Sequence, residues 1–230
     1  MCGRYNVTDN LYVRELMKSL GMPLYPQDRL NVAPLSAMEF VYQDQNGRHL
    51  IDGFWSVLIE HNPNTGNYRQ IKNAQGRPLS TFNAASRNLR TSRLWKPLFK
   101  NKRSIIPISG FHEWSMWNGN KTCFNIESAD GSAIAMGGLY DFKSIEGEAV
   151  PVTASITLPS HDKFMHIHKK SIPLMLQPDD FEMWLDHEFT NTKAFEDLLQ
   201  STIKFDWKVT PVDSPATLTP IGESEIIKAD

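Results

Sequence analysis

Apolar and polar positions alternate along this chain with two different periods, and the change of period marks out its elements. In "NLYVRELMKSLG" (10–21) Tyr12, Leu16 and Leu20 recur at four-residue spacing, which predicts a helix capped by Thr8-Asp9 and stopped by Gly21. The runs "AMEFVYQ" (37–43) and "HLIDGFWSVLIE" (49–60) predict strands, with Asn46-Gly47 as the turn between them. Residues 61–80 are polar and turn-rich and predict a long loop. "NAASRNLRTSRLW" (83–95) predicts a helix that ends before Pro97.

From there the pattern becomes mainly β. "SIIPISGFHEWSM", "CFNIES", "AIAMGGLYDF" and "PVTASITL" are separated by turn residues and predict an antiparallel meander. "HDKFMHIHKK" (161–170) predicts a short helix, "IPLMLQ" a strand, "PDDFEMWLD" and "NTKAFEDLLQ" helices with acidic first turns, and "FDWKVTPVD" a closing strand. No repeat, linker or compositional break divides the chain. The expectation is one α+β domain over 2–225 with a mostly antiparallel sheet.

Composition fits this picture: 230 residues, 40% hydrophobic and 22% charged. No apolar run approaches the roughly 20 residues of a membrane helix, and the N-terminus has no signal-peptide layout. With Cys2 and Cys123 alone there is no disulfide framework, so a reducing, cytoplasmic setting is expected. Net charge is −2, yet seven basic residues and no acid lie between Arg87 and Arg103, interleaved with Trp95 and Phe99. A one-signed run of this kind suits a polyanion as well as a solvated face.

The opening "MCGRYN" raises the chemical question. Loss of Met1 would leave Cys2 with a free amine and a thiol on adjacent carbons, of ordinary pKa about 7.7–8.0 and 8.5. Such a pair can transfer acyl groups. It can also capture an aldehyde as a Schiff base and close it to a thiazolidine, the second step gaining from intramolecularity. Alone, Cys2 is equally an incidental small residue, Glu113 a strand-edge carboxylate, Asn83 a helix cap and His168 a surface histidine.

Six segments change this balance. "CGRY" (2–5), "LNVAP" (30–34), "FNAAS" (82–86), "TSRLWKPL" (91–98), "SGFHEW" (109–114) and "IHKKSIPLML" (167–176) occur in this order. Together they resemble the SOS-response-associated peptidase (SRAP) family of abasic-site shielding proteins. Its pattern runs CGR-aromatic, NVAP, NAR-x-E, a basic KPL segment, GF-aromatic-EW and IH-x-R-x-P.

The resemblance implies a barrel-like sheet with peripheral helices, and a monomer that crosslinks to abasic sites in single-stranded DNA without metal or cofactor. It also implies possible peptidase and lyase activity. Cys2 would be the nucleophile, Asn83 would orient its amine and the sugar, Glu113 would transfer protons, and His168 would assist at the opened sugar oxygen. Arg4, Asn31 and Trp55 would contact or line the DNA, with Arg87, Arg90, Arg93 and Lys96 gripping phosphates. Departures fall mostly in the grip. Ala85 stands where the family has arginine, leaving Arg87 or Arg90 to replace it, and no second tryptophan follows Trp55.

Two competing readings remain. One is an N-terminal-nucleophile amidohydrolase such as a glutaminase. The other is a noncatalytic single-strand-binding module that stacks bases on Trp95, Phe99, Trp114 and Trp117. Metal binding by the histidines of "HDKFMHIH" is not expected, because metal-site spacing is lacking. Cys123 reads as a buried packing thiol.

Overall fold

A computed structural model describes residues 3–230, so the calls on Met1 and Cys2 lie outside the described residues. The chain enters through strand β1 (Arg4–Val7) and turns into helix α1 (Leu11–Ser19). Asn10, rather than Thr8 or Asp9, caps α1, its Oδ1 accepting the Val13 amide at 3.0 Å. The helix stops at Gly21, whose φ of +68° suits glycine. Its buried face is Val13, Leu16, Met17 and Leu20, whereas Tyr12 is exposed.

Strand β2 (Arg29–Val32) is followed by the hairpin of β3 (Ala37–Asp44) and β4 (Gly47–Trp55), closed by the pair Asp44↔Gly47. The expected loop at 61–80 overlaps a second hairpin, β5 (Ile59–Asn62) with β6 (Asn67–Gln70). Tyr68 anchors it, its ring centroid 4.5 Å from that of Phe54. Residues 83–95 also depart from expectation. Asn83–Ala85 form β7, extended because it pairs with a neighbouring strand, and this tertiary pairing overrides alanine's helical preference. The helix α2 (Trp95–Asn101) begins later and contains Pro97 in its first turn, where a missing N–H costs nothing.

The expected meander spans β8 (Arg103–Ile108), β9 (Gly110–Trp117), β10 (Asn120–Ser128), β11 (Ile134–Ile145) and β12 (Glu148–Pro159), but it divides into two hairpins, β9–β10 and β11–β12, that lie in different sheets, while β8 pairs with β3 and β11. Asn118-Gly119 and Glu146-Gly147, all at positive φ, make its two-residue hairpin turns. There follow β13 (Ser171–Pro173), β14 (Met175–Leu176), α3 (Phe181–Leu185), β15 (Trp207–Val212) and β16 (Glu225–Ile227). The helices expected at 161–170 and 191–200 reduce to short 3-10 turns, Asp162–Phe164, Thr192–Phe195 and Asp197–Leu199.

Among the described residues these strands build a mixed α+β fold around a closed barrel. The barrel runs β12-β4-β3-β8-β11 and returns to β12. Its pairings are antiparallel except at the seam, where β12 meets β4 in parallel at Val152↔Phe54 and Thr153↔Trp55. Gly53 allows this seam to close: a Cβ there would lie 2.7 Å from the Phe40 ring and 2.9 Å from the Pro151 carbonyl. An antiparallel sheet, β16-β15-β10-β9-β1-β2, packs beside the barrel. The buried side chains form one continuous cluster that includes Trp55, Phe111, Phe164, Trp184 and Trp207.

Arg103 is buried in this core and was not foreseen there. Its guanidinium donates to the carbonyls of Trp184, Phe99, Lys100, Asp186 and Phe189, and lies 4.9 Å from the Phe195 ring centroid. Burial lowers its pKa to about 10, so it stays charged at neutral pH. This residue ties α2, β8 and the stretch after α3 together.

Candidate functional site

Glu113 and Phe111 point from β9 to the same, inward side of the sheet by strand alternation. Phe111 packs against Phe164 and Trp207, while Glu113, across from Phe124, is 4% exposed. Burial pushes its carboxyl up to about 8. The Nδ1 of His168 lies 3.0 Å from Glu113 Oε2. Burial lowers this imidazole to about 4, and the Lys170 charge acts in the same direction. Burial thus favours the uncharged form of each group, a carboxylic acid and a neutral imidazole 3.0 Å apart.

The histidine is delivered by residues 160–170. Phe164 plugs this loop into the core, and the His168 amide donates to the Phe164 carbonyl at 2.9 Å. Ser115 Oγ donates to the His166 carbonyl at 2.9 Å and Ser160 Oγ to the His168 carbonyl at 2.8 Å.

Asn83 sits on β7 against Ser155 of β12, whose hydroxyl donates to Asn83 Oδ1 at 2.5 Å. Trp55 braces this strand from beneath, its Nε1 donating to the Phe82 carbonyl at 2.7 Å. The expectation that Trp55 contacts DNA is thereby corrected. It is fully buried, packed edge-on against Tyr5 and Phe82, and positions the residue before Asn83.

Arg4 pairs with His112, the residue before Glu113. Asn31 adopts φ +56° and donates its amide to Asn6 Oδ1 at 2.7 Å, while Asn6 Nδ2 lies 3.4 Å from His112 Nε2. Burial lowers His112 to about 4, so it accepts as a neutral ring. Asn31 is thus tied through Asn6 to the strand that carries Glu113.

The basic run divides into grip and scaffold. Arg87, Arg93, Lys96 and Lys100 are exposed. Arg90 is half-buried and donates to the Thr192 carbonyl at 2.9 Å. Lys102 pairs with Asp141 at 2.6 Å, and Arg103 belongs to the core. Trp95 and Phe99 are also core residues, which removes them as base-stacking platforms. Cys123 is buried and its thiol is pushed up to about 12 by burial, consistent with a packing role.

Sequence reasoning missed Lys170 and Ser155. Lys170 stands where the quoted segment IH-x-R-x-P has its arginine, and that position was its signal. Ser155, in the middle of an apolar strand, carried none. Among the described residues no helix is long and apolar enough to cross a membrane, and no three acidic, histidine or cysteine groups are arranged to hold a metal.

The fold and site define an α+β barrel protein with a buried carboxylic acid–imidazole pair beside its first strand. A model of the SOS response associated peptidase (SRAP) family matches residues 1–216, and the chain belongs to that family. It is 24% identical over 202 residues to the abasic site processing protein YedK of Escherichia coli, covering 85% of this chain and 84% of that one. It is 28% identical over 129 residues to the abasic site processing protein YMR114C of Saccharomyces cerevisiae, covering 55% of this chain and 34% of the yeast protein. The match therefore spans about a third of the yeast relative's length. A crystal structure of a Bordetella bronchiseptica protein shares the fold, with a TM-score of 0.72 and 19% identity over 93% of this chain and all of that one. A phage-related protein of the same organism does so with a TM-score of 0.65 and 15% identity, covering 95% of this chain and 100% of its own.

Proposed function

We propose that this protein processes abasic sites in DNA, capturing the ring-opened aldehyde in single strands as a thiazolidine on Cys2 after hydrolytic removal of Met1. The observation that carries the reading is the buried Glu113–His168 pair. The family relatives described as abasic site processing proteins support the substrate.

Arg4 pairs with His112, the residue before Glu113, and the two residues from Arg4 to Cys2 reach at most about 7 Å, a span that suits chemistry of Cys2 at Glu113. The Cys2 amine adds to the aldehyde carbon to give a carbinolamine. Expelling its hydroxyl as water needs a proton, and a carboxylic acid with a pKa near 8 still holds one at neutral pH. The thiol then adds to the imine carbon while its proton passes to the nitrogen, closing the five-membered ring. The balance is one aldehyde and one aminothiol giving one thiazolidine and one water. Neutral His168, whose Nδ1 lies 3.0 Å from Glu113 Oε2, is the group to return the proton between steps. Lys170 and the exposed Arg87, Arg93 and Lys96 are the candidates for phosphate contacts.

The test is a denaturing gel with single-stranded DNA bearing one abasic site. Wild-type protein lacking Met1 should give a covalent adduct, Cys2→Ala should give no stable one, and lesion-free DNA should give none. Absence of any adduct, together with ammonia release from glutamine, would replace this reading with the amidohydrolase.

A further inference from the structure

The family match ends at residue 216, yet the chain continues across the back of the His168 loop. There β16 adds an edge to the sheet beside β15, with Ile227 buried opposite Trp207. Past β16 the chain is tied on one side to the body of the protein. The Ala229 amide donates to Asp206 at 2.9 Å, and Asp230 and Ile203 exchange hydrogen bonds of 3.0 and 2.8 Å.

On its other side this stretch faces the loop, and three loop side chains reach for it. His166 Nε2 meets Glu225 Oε1 at 2.5 Å. Lys163 Nζ donates to the carbonyls of Lys228 and Ala229 and to Asp230 Oδ1, at 3.1, 2.9 and 2.8 Å. His161 Nε2 lies 3.1 Å from Asp230 Oδ2. Its Nδ1 accepts the Lys163 amide at 3.2 Å, which leaves Nε2 as the nitrogen facing the aspartate. Two of the three histidines of "HDKFMHIH" thus face the chain's own later stretch, and the third, His168, faces Glu113.

We propose that residues 225–230 form a clamp that positions the loop carrying His168, with Asp230 as the anchoring residue; the proposal rests on the role given to His168 above. Asp230 is a positioning residue that acts through His168. A proton-transfer pair works only when held to within about 0.5 Å. Phe164 fixes one point of this loop and the clamp fixes three more.

The experiment uses the full chain with Asp230→Ala, Asp230→Asn and His168→Ala, singly and with Asp230→Ala combined with His168→Ala. Hydrogen exchange at the Ile167 and His168 amides, both bonded to the Phe164 carbonyl, reads the loop directly. Asp230→Ala should speed it by roughly tenfold or more while β10 amides stay unchanged. Asp230→Asn, which keeps the acceptor for His161 and Ile203, should recover part of the protection. Adduct formation should slow severalfold at unchanged affinity for single-stranded DNA, and Asp230→Ala should slow His168→Ala no further. Unchanged exchange, an unchanged adduct rate, or a slowing that adds in full to that of His168→Ala would each overturn the clamp. If wild-type protein forms no adduct, the abasic-site reading fails, while exchange still decides whether the clamp holds the loop.

Discussion

Glu113 is stabilised in its protonated form by the same burial that makes folding around it unfavourable at higher pH. Its folded pKa of about 8 lies above the ordinary 4.5, so the native state binds the proton more tightly than the unfolded chain does. Its contribution to stability is fully present below pH 4.5 and is lost as pH rises towards 8. Glu113→Gln keeps the shape and removes this dependence. It should raise stability at pH 7 by on the order of 3 kcal/mol in denaturant titrations, while slowing adduct formation by roughly 10²–10⁴-fold. Wild-type adduct formation should itself fall as pH passes about 8. His112 and His168 have the opposite sign. Their pKa values fall from 6.5 to about 4, so the stability linked to their neutral forms is present above pH 6.5 and lost on acidification through 4.

Neighbouring basic residues at the end of α2 play unequal parts. Arg103 satisfies five carbonyls in a buried setting, and a lysine ammonium cannot reproduce that fork. Arg103→Lys should cost on the order of 3–5 kcal/mol, read as a lower denaturation midpoint with an unchanged slope. Lys102→Ala removes one partly exposed ion pair and should cost below about 1 kcal/mol. This contrast also shows where sequence reading stops. The hairpin at Asn46-Gly47 was legible because Gly47 takes the positive φ, +111°, that closes its turn. Glu113 and His168 were legible only through the order of the family segments. That Asn83 lies on a strand was not legible, since its extended form depends on Ser155 of β12, 72 residues away in sequence. Nor was the burial of Arg103, because its partners are backbone carbonyls that leave no mark in composition.

The protein as a unit carries a net charge of −2, so the attraction to DNA proposed above rests on where its cations lie. Arg87, Arg93 and Lys96, with Lys100, are the accessible members of the basic run. Their combined replacement by glutamine should reduce the salt dependence of single-strand binding by about 0.7 for each phosphate no longer neutralised. An unchanged slope in a salt titration would exclude this surface. The parallel seam has a consequence of a different kind. Phe54 meets Val152 across almost a hundred intervening residues. During synthesis one flank of β4 therefore waits without its partner until β12 has emerged. Contacts so distant in sequence slow folding and lengthen the time in which an unpaired strand can find the wrong neighbour. The nascent chain should thus be most vulnerable to self-association before the second half of the barrel is made, and yield on expression should respond to temperature and to chaperones more strongly than the stability of the finished fold would suggest.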